Sequence, residues 1–207
     1  MRSTIRISVL VLVIILGALR PAAHAQVPGF DQATVQALYN YFYSQLPGSG
    51  DDIRTQALQF ASLAARGGPT AITVAPAAFQ YFYSQLPGSD ATTKAQACEF
   101  AAITCIGGAA AVAEAQTAFQ FFYSQFPGSD ASTKTAAGRI AAQVASGGQG
   151  AAAAAQQAYN FYYSQLSGSD FPTKLKAAQM ADNQVGHFGT VCPGAARAAN
   201  FAALHAD

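Results

Sequence analysis

The sequence predicts an all-α protein. Tandem antiparallel helical hairpins of period 40 stack like an α-solenoid of about nine helices, with a closed helical bundle as the alternative. Three observations predict it. Phe42-Tyr43-Ser44-Gln45 recurs as Phe82-Tyr83-Ser84-Gln85, Phe122-Tyr123-Ser124-Gln125 and Tyr162-Tyr163-Ser164-Gln165, 40 residues apart each time. The same punctuation surrounds each copy: Gly48, Gly88, Gly128 and Gly168 follow the element, and Gly-Gly pairs stand at 67–68, 107–108 and 147–148. Between these breaks, apolar residues recur at the spacing of one helical face, and no two-residue alternation argues for strands.

Taken in order, residues 1–25 have the layout of a secretory signal peptide. Arg2 and Arg6 form the basic start, Ile7 to Leu19 the apolar run, and Ala23-His24-Ala25 the small-x-small cleavage site. The run is about 13 residues, fewer than the roughly 20 a membrane helix needs. Cleavage there predicts an exported chain from Gln26 onward, extracellular or, in a bacterium, periplasmic, with no membrane span. It removes Arg2, Arg6 and Arg20 and no acid, which moves the net charge from +1 to −2.

Residues 26–207 read as one helical-repeat domain. Its repeats lie at about 30–68, 69–108, 109–148 and 149–188, with a C-terminal half repeat at 189–207. Each repeat holds two helices, A and B. In the second copy, helix A is expected from Thr70 to Leu86, with Ile72, Ala75, Phe79, Phe82, Tyr83 and Leu86 on its apolar face. Pro76 either kinks that helix or delays its start. Pro87-Gly88 ends it, because Pro cannot continue the hydrogen-bond ladder and Gly accepts a left-handed turn. Ser89 or Asp90 caps helix B by accepting a free backbone N–H. Helix B runs to about Ile106, with Ala97, Phe100, Ile103 and Thr104 on one face, and Gly107-Gly108 close it. In the fourth copy the closing pair reads Gly186-His187. In the half repeat, Asn200-Phe201 echoes Asn160-Phe161, while the Tyr-Ser-Gln positions hold Ala203, Leu204 and His205.

Only 10% of the chain is charged and 51% is hydrophobic, against about 25% charged in an average domain. That is too apolar for a disordered tail and lacks the basic footprint of a nucleic-acid binder. Three cysteines are too few for a disulfide scaffold. Sixteen of the 23 aromatic residues cluster at 39–43, 79–83, 119–123 and 159–163, all in helix A. Helix B carries mostly one large residue, Phe60, Phe100, Ile140 or Met180, amid alanines. Large residues facing small ones allow close helix approach.

The repeated residues are the candidates for function. Tyr43, Ser44, Gln45, Tyr83, Ser84, Gln85, Tyr123, Ser124, Gln125, Tyr163, Ser164 and Gln165 present a hydroxyl and an amide once per repeat, or serve as core ring and polar shoulder. Tyr41, Tyr81, Phe121 and Phe161 point about 200° away from the main stripe. They form an aromatic ladder, either a platform for sugars, apolar ligands or another copy, or the packing between adjacent A helices. Arg54, Lys94, Lys134 and Lys174 mark a solvated face or a contact surface. The Gly-Ser-Asp turns are fully accounted for by capping. Asp182, His187 and Cys192 lie close in sequence without a metal-ligand or nucleophile spacing. Cys98 and Cys105 are seven apart on one helix, about 10 Å, too far for a mutual disulfide. Cys192 can pair with either Cys105 or Cys98 only if the array curls.

No general acid–base pair repeats. The expectation is therefore a secreted, non-enzymatic helical-repeat protein with a structural or surface-interaction role. It needs no metal or cofactor, and its partners are its own copies or an extracellular matrix or surface component, not nucleic acid. The alternative is a carrier of apolar small molecules or lipid in an aromatic-lined groove.

Overall fold

The computed structural model describes residues 31–188. The signal sequence, Cys192 and the half repeat lie outside them. Eight α-helices follow one another: α1 (Gln32–Gln45), α2 (Asp51–Ala64), α3 (Ala71–Gln85), α4 (Ala91–Cys105), α5 (Ala111–Gln125), α6 (Ala131–Ala145), α7 (Ala151–Gln165) and α8 (Phe171–Phe188). Odd-numbered helices are the A helices and even-numbered ones the B helices.

Each hairpin packs A against its own B. Between repeats, A helices meet A helices and B helices meet B helices. Every substantial contact joins elements of the same or adjacent repeats, so the described chain is an open two-layer stack of hairpins. The A face that turns inward is Ala71, Val74, Ala75, Ala78, Phe79 and Phe82 in α3, and Ala111, Ala115, Ala118, Phe119 and Phe122 in α5. Ile72, expected in that stripe, is instead 41% exposed. It lies beside Ala71 but on the flank of the helix, and small Ala71 is the residue the packing admits. Across the layers Phe42 meets Phe60 and Phe82 meets Phe100 edge-on, with ring centroids 5.8 and 5.4 Å apart. Burying one such ring is worth about 2–3 kcal/mol. Alanine fills much of the remaining interior of the B layer, as Ala97, Ala101 and Ala102 do in α4.

Local chemistry sets the breaks. Gly48, Gly88, Gly128 and Gly168 have φ of 107°, 99°, 96° and 119°, a region closed to most side chains. Asp90, Asp130 and Asp170, not the neighbouring serines, cap the B helices by accepting from the N–H of Thr93, Thr133 and Thr173. The Thr93 hydroxyl donates back to the Pro87 carbonyl at 3.1 Å and so ties cap to turn. In the first repeat Gly50 and Ile53 replace this Asp and Thr together, and α2 has no side-chain cap. Asp51 and Asp52 in its first turn complement the helix dipole instead. Helix α3 runs through Pro76 and starts at the same register as α5 and α7, so the proline does not delay it.

The Gly-Gly pairs do two jobs. The second glycine, at 68, 108 and 148, takes φ of 74°, 72° and 80°. The first lies against the next repeat: a Cβ on Gly67 would run into the Cys105 carbonyl, and one on Gly107 into the Ala145 carbonyl. In the 40-residue register the corresponding fourth pair is His187-Phe188, one position later than Gly186-His187. Without a glycine pair to stop it, α8 runs 18 residues where the others run 14 or 15.

Candidate functional site

The last turn of each A helix forms an edge of constant geometry. Ser44, Ser84, Ser124 and Ser164 each donate to the carbonyl three residues back, at 2.7 Å in all four repeats. Gln45, Gln85, Gln125 and Gln165 each donate an amide N–H to the neighbouring serine oxygen, at 3.0–3.3 Å. Tyr43, Tyr83, Tyr123 and Tyr163 lie half-buried, each stacked on the ring one turn earlier with centroids 5.5–5.7 Å apart. The serines are exposed.

The ladder residues take the joint between repeats. Tyr41 packs edge-on against Phe79, Tyr81 against Phe119 and Phe121 against Tyr159, with centroids 6.3, 6.0 and 5.4 Å apart and planes 83–87° apart. That T-shaped geometry sets the positive ring edge against a negative face. All three are half-buried. Phe161, at the end of the described stack, is 40% exposed. Burial raises the Tyr41 and Tyr81 hydroxyls, Tyr81 to about 12.

No family model matches the chain, and neither a curated protein nor a solved structure matches it. The site has to be read from its own chemistry.

Arg54 pairs with Asp51 at 3.0 Å, on the surface. Outside the repeated basic row, exposed Arg139 reaches half-buried Glu99 of the preceding repeat at 3.8 Å. Cys98 and Cys105 are buried free thiols, pushed up to about 12 by burial. The Cys105 thiol points to the Ala71 carbonyl at 3.8 Å. Of the Asp182, His187 and Cys192 group, only the Asp182 side chain lies among the described residues. It is buried on α8, where the equivalent residues are Ser62, Ala102 and Ala142, and desolvation raises its carboxyl to about 7. A shallow groove of about 490 Å³ runs between α6 and α8, lined by Ile140, Leu175 and Gln143 among others. No ladder residue lines it.

Two structural roles were not visible from spacing. Glu114 accepts from the backbone N–H groups of Gly150 and Ala152, both at 2.8 Å, and so caps α7 from the preceding repeat. Its partners lie 36 and 38 residues away, and a single non-repeating Glu gives no periodic signal. Tyr159 is fully buried with its hydroxyl unbonded, at a position that Phe79 and Phe119 fill elsewhere.

Proposed function

We propose that the protein is an exported, non-enzymatic scaffold whose repeated edge makes contacts with a surface, a matrix or its own copies. The observation that supports this reading is the edge itself. Four copies of one tyrosine, serine and glutamine arrangement, held by the same bonds at the same distances, stand in a row on one layer. A ladder of rings holds successive copies in line. Such regularity suits recognition of an extended or repeated partner better than chemistry on one small substrate.

The test has two arms. The full coding sequence is expressed, and the product is followed by fractionation and N-terminal sequencing. The expected outcome is a chain beginning at Gln26 outside the cell. The purified product is then examined by light scattering across a concentration series and by retention on extracellular matrix preparations. Self-association or retention supports the reading. A concentration-independent monomer that is retained nowhere overturns it.

A further inference from the structure

Charge is segregated between the two layers. The four A helices carry one residue charged at neutral pH, Glu114, and its carboxylate is occupied by the backbone of α7. Arg54, Lys94, Glu99, Lys134, Arg139, Lys174 and Lys176 all lie on B helices, and the capping aspartates lie in turns. The outward face of the A layer thus carries no charged side chain of its own, and among the described residues Arg54 of α2 meets its edge beside the Tyr43 hydroxyl. Its centre is a row of exposed amides, Asn40, Gln80, Gln120 and Asn160, one per helix at the same register. Half-exposed tyrosines flank the row.

We infer that this neutral A face is a self-association surface, on which a second copy docks face to face about a two-fold axis. The inference rests on the scaffold reading above and names its partner. Three considerations favour a second copy. The first is composition: interface centres are depleted in charge and enriched in tyrosine, which describes the A layer and not the B layer. The second is complementarity. A two-fold interface sets one patch against itself. A row of like charges would repel its own image, whereas a side-chain amide is both donor and acceptor and pairs with another amide. The third is area. Four helices of about 22 Å, side by side at about 9 Å, present a face of roughly 700–800 Å². That is about what each partner buries in a standard-size complex.

The experiment is sedimentation equilibrium on the purified product, on the double variant Gln80→Lys/Gln120→Lys, and on Lys94→Gln as a B-layer control. Both glutamines are exposed and lysine is as good a helix former, so the fold is retained, which circular dichroism verifies. The expected result is a dimer for the parent and for Lys94→Gln, in the range of about 1–100 µM. The double variant, with four like charges at the centre of the interface, associates at least roughly tenfold more weakly. A parent that stays monomeric overturns the inference, as does a double variant that dimerises like the parent. Retention of both proteins on amylose and cellulose is measured in parallel. A monomeric parent that binds these neutral polysaccharides, with binding lost in the double variant, overturns the second copy as partner while the scaffold reading stands. A monomer that binds nothing removes both.

Discussion

Single residues that break the repeat mark where it is under strain. Asp182 is the clearest, a carboxyl at a position where two other repeats bury alanine. Its folded value of about 7 lies above the ordinary 3.8, so the folded chain holds the proton more tightly than the unfolded one. Stability therefore falls as pH rises from about 4 to about 7 and stays reduced above that. The capping residues Asp31, Asp90, Asp130 and Asp170 work in the opposite sense. Hydrogen bonds from threonines in the first helical turn lower them, so their contribution is present above about 4 and is lost as pH falls through their folded values. Chemical denaturation is expected to show a maximum in mildly acidic solution. Asp182→Ala should raise stability by about 1–3 kcal/mol at pH 8 and hardly at all at pH 4. Equal effects at both pH values would show that the carboxyl is not the cause. Tyr159→Phe restores the residue of the inner repeats and removes an unbonded buried hydroxyl, for a gain of about 1 kcal/mol in urea unfolding. None of this was readable in advance, because burial of Asp182 and isolation of the Tyr159 hydroxyl depend on neighbours far along the chain.

At the scale of elements, the sequence carried most of the plan. Boundaries of α3 and α4 fall within a residue of expectation, since Pro87-Gly88, Asp90 and Gly107-Gly108 act locally. What joins one hairpin to the next was less legible. The ladder was open to two readings by periodicity, and only contact between helices shows Tyr41, Tyr81 and Phe121 edge-on to the next ring. Ile72 lies outside the buried face because Ala71, one residue earlier, takes the inward position. The double use of the Gly-Gly pair gives a sharp comparison. Gly108→Ala adds a Cβ in open space and strains only a positive φ, costing about 1 kcal/mol. Gly107→Ala drives a Cβ into the backbone of the next repeat and should cost about 2–4 kcal/mol. Thermal melts of the two variants measure the difference, and equal losses would remove the joint from the account. At the far side of the stack, Glu114→Gln should leave the Gly150 and Ala152 amides exchanging faster with solvent, with about 1 kcal/mol lost from α7.

For the molecule as a whole, the exposed low charge and the open stacking belong together. A chain with 10% charge has little self-repulsion, and among the described residues all the charges but Glu114 lie in the B layer and the turns. Each hairpin is held by its immediate neighbours, so stability is a sum of repeat and interface contributions, with no substantial contact from first to last repeat among the described residues. That is the claim on which the repeated edge, the ladder and the neutral face all depend. It is tested most directly by deleting residues 51–90, which joins Gly50 to Ala91 in register. In the shortened chain Phe42 takes the place of Phe82 against Phe100, and Tyr41 takes the place of Tyr81 against Phe119. The account predicts a folded three-repeat protein with the helicity per residue of the parent by circular dichroism and a single cooperative melt. An unfolded or non-cooperative product would contradict it.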